Sequence, residues 1–411
     1  MSRYRLYPTT AQEAALLEHC AHARFVWNLA VEQRLWWKPG RHPTPGFTQQ
    51  CRQLTEARAA FPWLADGSVI VQQQALRDFH AAWARRYSAL GQWRSGTIKR
   101  LPDARPSPPS PPSWRTRNVH EGFRIVATGP RGGARRLNRR WGEVLVPKLG
   151  WVRFRWSRPV PDAKSYRVTR DHAGRWHIAF AAIPPAIPGP GTGEVVGVDR
   201  GVAVSAALST GELLSVPGLR PQERRRLERL ERRKGRQRKG SNRRARTRLA
   251  IARLKARETA RRRDWTEKVS TDLIRRFDRI RIEDLDVQAM TRSARGTAAQ
   301  PGCNVRQKAG LNRAILANGW GALLNRLEDK APGRVERIYP AYTSQRCSAC
   351  GHVAPGNRES QAFRCVACGH HAHADVNAAL NIAAGHAVTA RGGEPLGAPT
   401  NREPTTLGAV A

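Results

Sequence analysis

The sequence predicts an α+β multidomain chain, and three observations predict it. Apolar residues recur at helical spacing through the first hundred positions, alternate at strand spacing from Phe123 to Phe180, and afterwards mark strands and helices in turn. Runs rich in proline separate these stretches. Near the end, two C-x2-C pairs mark a module too small to build its own apolar core.

In chain order, Tyr4-Arg-Leu-Tyr-Pro8 reads as a short strand, placed as the first strand of a small barrel (residues 1–10). Thr9 or Thr10 then caps a helix with Ala14, Leu17, Cys20, Ala21, Phe25 and Leu29 on it. A second helix, about Val69 to Tyr87, carries Val71, Ala75, Phe79, Ala82 and Trp83 on one face and leaves Arg77, Arg85 and Arg86 outside. Residues 11–100 are therefore expected to be a helical domain. Its tryptophans (Trp27, Trp36, Trp37, Trp63, Trp83, Trp93) are assigned to packing, not to base stacking. The proline-serine run in 101–113 reads as an extended linker.

Five short strands follow, starting at Phe123, Glu143, Trp151, Tyr166 and Trp176. Several alternate apolar residues with arginine, which suits a small antiparallel barrel over 114–183 with one basic face. Residues 184–193 form a second linker. Val195 to Leu208 then reads as a buried strand and hairpin that opens a domain over 194–342. Asp199 ends an otherwise apolar strand, where a buried carboxylate is costly without a cation; a turn aspartate is the alternative.

Arg220 to Arg263 holds 21 Arg or Lys against 4 Glu, with a thin apolar stripe of Leu227, Leu230, Leu249, Ile251 and Leu254. Lys239-Gly-Ser-Asn breaks it into two helices. Such self-repulsion calls for counter-charge of the kind a nucleic-acid backbone supplies, so Arg232, Arg233, Lys234, Arg236, Arg238 and Lys239 are candidate contacts. Beyond a helix end at Asp272 to Phe277, Arg279 to Asp286 reads as a strand ending in acids. Glu283 is the first carboxylate past Ile280 and Ile282. Gly296 to Gln307 reads as a mobile loop, Leu311 to Leu327 as one helix, and Val335 to Tyr339 as a further strand.

Cys347/Cys350 and Cys365/Cys368 have the spacing of a zinc ribbon, expected over 343–372. Gly351 and Gly369 follow the pairs, where the chain turns left-handed. Four thiolates close the tetrahedron, so a Zn2+ here is structural. His352, His370, His371 and His373 could substitute, but the paired cysteines are preferred. Asp375 heads a helix carrying Val376, Ala379, Leu380 and Ala383 until Gly385, within a final element at 373–390. Alone it reads as a cap or as a metal ligand. The remainder, 391–411, is expected to be a disordered tail.

The 411 residues carry a formal charge of +40, and arginine outnumbers lysine roughly six to one. That balance points to a polyanion, and nucleic acid fits better than membrane because no run of eighteen apolar residues exists. The first residues lack the apolar core of a signal peptide, and Cys20, Cys51 and Cys303 have no sequence partners. Both facts fit a reducing cytoplasm.

Asp199 and Glu283 end strands and Asp375 starts a helix, so the three carboxylates are expected to converge. Hard oxygen ligands on rigid element ends suit a pair of Mg2+ ions acting on a phosphodiester. The order of strand, hairpin, helix, strand and acidic helix matches an RNase H-like nuclease fold.

On these residues the chain resembles the TnpB (OrfB) family of insertion-sequence proteins, relatives of type V CRISPR effectors. The resemblance covers nearly the whole chain. It rests on Tyr4-Arg-Leu-Tyr-Pro8, Ala23-Arg-Phe-Val-Trp-Asn28, Gly197-Val-Asp-Arg-Gly-Val202, Ile282-Glu-Asp-Leu285, Thr343-Ser-Gln-Arg-Cys-Ser-Ala-Cys-Gly351, Cys365-Val-Ala-Cys-Gly369 and Asp375-Val-Asn-Ala-Ala-Leu-Asn-Ile382. It implies a helical recognition domain, a wedge-like barrel, and a RuvC nuclease split by the ribbon, with Asp199, Glu283 and Asp375 as its acids. It also implies a transposon-encoded guide RNA, a target DNA cut beside a short flanking motif, a bacterial nucleoid-associated location, and a separate partner protein for strand transfer. The alternatives are a guide-dependent repressor without cleavage and a transposase acting directly. Arg200 departs from the apolar residue that many relatives carry after the first aspartate.

Overall fold

The computed structural model describes residues 2–36, 40, 43–95, 108–126, 130–297 and 299–385. Trp37, much of the proline-serine run and the tail expected after Ala390 lie outside the described residues. The chain divides into two units, Met1–Pro184 with Leu230–Arg253, and Pro185–Arg229 with Leu254–Ala411.

The first unit opens with β1 (Ser2–Arg5) and α1 (Thr10–Leu35). Thr9 is the cap: its hydroxyl accepts the Gln12 N–H, and the Gln12 side-chain oxygen accepts the Thr9 N–H. Helices α2 (Phe47–Ala60), α3 (Pro62–Ala65) and α4 (Val69–Arg94) follow. Helix α2 escaped the periodicity because it buries only Gln50 and Leu54, too few to draw an apolar stripe.

Strands β2 (Gly122–Val126), β3 (Ala134–Arg136), β4 (Trp141–Val146), β5 (Gly150–Arg155), β6 (Ser165–Arg170) and β7 (Trp176–Phe180) follow in this unit, which also takes Leu230–Arg253. They form two antiparallel sheets, ordered β1-β7-β6-β2 and β3-β4-β5. The N-terminal strand does join them, with Tyr4 opposite Ile178. Among the described residues the sheets meet through the isolated Leu6–Phe154 bridge, and no continuous ladder closes a barrel. The Tyr4, Phe154 and Phe180 rings pack in one apolar core that also takes residues of α1 and α4.

The second unit is built on a five-stranded sheet. It contains β8 (Val195–Asp199), β9 (Ala206–Leu208), β10 (Leu213–Leu214), and then, after α5 (Pro221–Arg236) and α6 (Asn242–Arg276), β11 (Arg279–Glu283). Next come α7 (Val287–Met290), α8 (Val305–Asn318), α9 (Trp320–Lys330) and β12 (Val335–Ile338). The sheet order is β10-β9-β8-β11-β12, with β8, β11 and β12 parallel. Val196 and Val198 of the apolar β8 are fully buried, as are Ile280 and Ile282, which alternate with arginines in β11, and each contributes about 1.5–3 kcal/mol.

Two expectations need correction here. The helix expected from Leu311 to Leu327 is two helices, because Gly319 takes a left-handed φ of 70° and ends α8 before α9 begins. The stretch from Gly296 is a shaped turn with a Gly296–Pro301 bridge, and α8 already starts at Val305. A Cβ on Gly302 would collide with the Ala294 carbonyl oxygen, so glycine permits the close approach that shapes this turn.

After β12 come the cysteine pairs, with β13 (Arg358–Glu359), β14 (Ala362–Arg364) and β15 (His371–His373) in a small antiparallel sheet, and finally α10 (Ala374–Ala383). No helix among the described residues is long and apolar enough to cross a membrane.

Candidate functional site

Asp199 closes β8, the middle strand of the five, and Glu283 closes its parallel neighbour β11. In the register, Ile282 lies beside Val198, so the two acids occupy matching positions at the carboxyl ends of adjacent strands. That is where open parallel sheets expose functional groups. Asp375 reaches the same place from the first turn of α10, which packs on β8. The capping role belongs to His373, whose Nδ1 accepts the Asp375 N–H at 3.3 Å, so the Asp375 side chain is left for other work.

All three carboxylates are buried, with relative exposures of 8%, 7% and 6% for Asp199, Glu283 and Asp375. Burial first, then the charges of Glu283 and Asp375, push the Asp199 carboxyl well above the usual carboxylate range. Burial also raises Glu283, against the pull of the Thr343 hydroxyl and the Arg200 guanidinium. Three carboxylates buried at one place, with Asp199 and Glu283 both held above the usual carboxylate range, are the donor set a divalent cation would stabilise, so the residues fit magnesium.

Two guanidiniums stand among these acids. Arg358 of β13 donates to Asp375 Oδ1 at 2.9 Å. Arg200 is buried and donates to the Glu283 backbone carbonyl, and its Nε has no partner among the described residues. Burial lowers the pKa of Arg200, while Glu283, Asp199 and Asp284 favour its charge. The sequence flagged Arg200 without its contact, and Arg358 not at all.

The four cysteine sulfurs lie within 4.8 Å of one another, the one such group of His, Cys, Asp or Glu ligand atoms found among the described residues. Cys347 and Cys368 are 3.8 Å apart and Cys350 and Cys365 are 3.5 Å apart, close to the roughly 3.8 Å edge of a tetrahedron with Zn–S bonds of about 2.3 Å. In each knuckle the glycine N–H returns to the first cysteine's carbonyl at 2.9 Å, with φ of 78° at Gly351 and 72° at Gly369. The Cys368 N–H draws the Cys365 thiol down to about 6, while Cys368 itself, against the pull of the His370 N–H, is pushed up to about 12 by its neighbouring sulfurs, so the cluster titrates as one group. The site therefore fits zinc in a closed, structural set.

Helix α10 grips the ribbon through side chains that the sequence reading did not single out. Asn377 donates to the Arg346 carbonyl at 2.7 Å and accepts the Ser348 N–H at 2.9 Å. Asn381 donates to the carbonyls of Thr343 and Arg346 at 3.0 and 2.7 Å. Their i, i+4 spacing puts both on one helix face, a pattern visible in the sequence. Thr343 in turn gives its hydroxyl to Glu283 Oε1 at 2.9 Å.

The candidate backbone-binding residues cluster around the α5–α6 turn. Arg232, Arg233, Arg236, Arg238 and Lys239 are exposed, while Lys234 is half-buried and pairs with Glu231. Helix α5 buries no residue.

Three family profiles match the chain: a helix-turn-helix domain of the OrfB family over residues 2–41, the OrfB family described as "Probable transposase" over 167–294, and a "Cas12f1-like, TNB domain" over 320–382. The chain is 34% identical over 415 aligned residues to the "Putative RNA-guided DNA endonuclease InsQ" of Escherichia coli (strain K12), covering 98% of this chain and 97% of the relative. A Streptomyces pristinaespiralis protein described as "Putative RNA-guided DNA endonuclease" is 30% identical, covering 95% of this chain and 90% of its own. Among solved structures, a Cas12f1–sgRNA–target DNA complex aligns with 91% of this chain and 82% of its own, at 13% identity and a TM-score of 0.46.

Proposed function

Given that this chain belongs to the OrfB (TnpB) family of insertion-sequence proteins, we propose that it is an RNA-guided, magnesium-dependent DNA endonuclease cutting beside a short flanking motif. The observation that carries the proposal is the meeting of Asp199, Glu283 and Asp375, from three elements far apart in sequence, in one buried acidic site. The descriptions of the full-length relatives support the same reading.

In this reading the three acids form a RuvC-type centre. A pair of magnesium ions held by Asp199, Glu283 and Asp375 would supply activation of water and stabilisation of the leaving oxygen in phosphodiester hydrolysis. Asp199, on which both Glu283 and Asp375 act, is the central carboxylate of the set that would hold them. Arg358 orients Asp375 through its Oδ1. The ribbon, with zinc on its four cysteines, holds the start of α10 and hence Asp375 in place.

Recognition divides between RNA and protein. Pairing with a transposon-encoded guide RNA reads the target sequence, and the protein reads the flanking motif and the backbone. The arginines of α5 and α6 neutralise phosphates. We assign residues 11–100 to recognition, 1–10 with 114–183 to a wedge-like barrel, and 194–342 with 373–390 to the nuclease, interrupted by the ribbon at 343–372. Strand transfer falls to a separate protein of the same element.

One observation favours a second reading. Arg200 and Arg358 place positive charge beside the acids, which suits a guide-dependent binder that does not cut. Sequencing the RNA that co-purifies with the protein, then offering DNA that matches it beside a randomised flank, separates the readings. Magnesium-dependent cuts beside a fixed motif support the nuclease. Guided binding that never cuts supports the repressor, and RNA-independent strand transfer supports a transposase.

A further inference from the structure

The nuclease reading accounts for the three acids and the four cysteines but leaves one buried contact between them without a role. Thr343 stands where β12 gives way to the ribbon, and it is 2% exposed. Its Oγ1 lies 2.9 Å from Glu283 Oε1 and 3.1 Å from the Pro340 carbonyl oxygen. One hydroxyl proton serves one acceptor at a time, and a carboxylate is the stronger. The backbone at Thr343 is held as firmly as its side chain: its carbonyl accepts the Asn381 amide of α10 at 3.0 Å. The helix that carries Asp375 therefore holds the residue that holds Glu283.

The chain is bent to make this contact. Tyr342, immediately before Thr343, takes a left-handed φ of 62°, an outlier for a bulky residue. A tight turn surrounds it, with the Gln345 and Arg346 N–H groups donating to the Tyr342 carbonyl at 3.0 and 2.9 Å. Strain of this kind persists where the surrounding structure over-determines it, and it clusters at functional sites.

A neutral hydroxyl has a specific advantage at this position. A glutamate side chain ends in a broad torsion, so a buried Glu carboxylate rotates unless a partner fixes one oxygen. Lysine or arginine in that role would add a cation that competes with a metal ion, whereas a threonine hydroxyl fixes the oxygen and adds no charge. Its β-branch also restricts χ1, which keeps the donor aimed.

We propose that Thr343 is a positioning residue of the nuclease centre: its hydroxyl sets the Glu283 carboxylate for a divalent ion, and Asn381 ties that setting to the helix of Asp375. The inference rests on reading Asp199, Glu283 and Asp375 as an ion-binding centre.

The test uses the full chain with its co-purified RNA and compares Thr343→Val, Thr343→Ala and Thr343→Ser. Mn2+ binding is titrated by electron paramagnetic resonance, and the ion concentration for half-maximal cleavage is measured alongside zinc content and melting temperature. Partners that hydrogen-bond a metal ligand typically carry 10–100-fold of ion affinity. Val and Ala should therefore weaken Mn2+ binding by about 10-fold or more, with a matching rise in the half-saturating concentration. Ser should bind within about 3-fold of wild type, and zinc content should be unchanged throughout.

Should Thr343→Val fail to fold, the Ser and Ala variants decide, since both lack the methyl group and differ by the hydroxyl alone. Unchanged Mn2+ affinity in Thr343→Ala overturns the inference, as does a Ser variant as weak as Ala. Asp199→Ala, run in parallel, separates the two levels. If it abolishes Mn2+ binding while Thr343→Ala leaves binding intact, only the role of Thr343 falls. If Asp199→Ala binds and cleaves like wild type, the ion-centre reading falls and takes this inference with it.

Discussion

Gly197 of β8 packs backbone to backbone against Ala379 of α10: a Cβ at position 197 would collide with the Ala379 carbonyl oxygen and lie 2.5 Å from the Ala383 nitrogen. This contact brings the strand of Asp199 against the helix of Asp375. Two residues before the first acid, only glycine leaves room for the helix.

Gly197→Ala should therefore push α10 off β8. The obstacle is backbone, which cannot rotate away, so the cost is expected at the upper end for overpacking, about 3 kcal/mol. For a unit of this size that is a fall of roughly 6–12 °C in melting temperature. Scanning calorimetry reads it, and an unchanged transition would contradict the packing described here.

The ribbon should depend on its metal. Cys347→Ser or Cys368→Ser is expected to release zinc, measured by elemental analysis, because metal binding in so small a module is folding energy. Asp375 lies in the first turn of the helix next to the ribbon, so cleavage should fall in the same variants. Wild-type protein purified without zinc would refute this.

Reversal of charge at Arg232, Arg233 and Lys234 to glutamate should weaken nucleic-acid binding and flatten its salt dependence. Each lost phosphate contact removes roughly 0.7–0.9 from the slope of log affinity against log salt. Arg232 and Arg233 are exposed, so most of the change should come from them. An unaltered slope would mean that this turn is only a solvated surface.

The parts of the site legible in the sequence were those whose logic is local or repeated. Cys347/Cys350 and Cys365/Cys368 announce themselves because each pair closes its own turn. Asp199 and Glu283 stand out as acids ending apolar strands. Thr343 and Arg358 carry no local mark: a threonine before a cysteine pair and an arginine in a short strand are ordinary until the fold brings Glu283 and Asp375 to them. Asn377 and Asn381 show helical spacing, but the carbonyls they grip belong to a different element. In the fold, the break at Gly319 is hidden because a single glycine in an apolar pattern does not by itself reveal a left-handed φ. Helix α2 was hidden by its mostly polar surface.

The proposed role of Asp199 is in chemistry and not in guide or target binding. Its direct test is Asp199→Ala, purified with its guide RNA and measured for target binding and for cleavage, in magnesium and in chelator. Target binding should stay within about 3-fold of wild type and cleavage should fall by roughly 10³-fold, because the acid proposed as central to ion binding is gone while the surfaces proposed to meet nucleic acid remain. Cleavage that persists in this variant, or binding that vanishes together with cleavage, would contradict it.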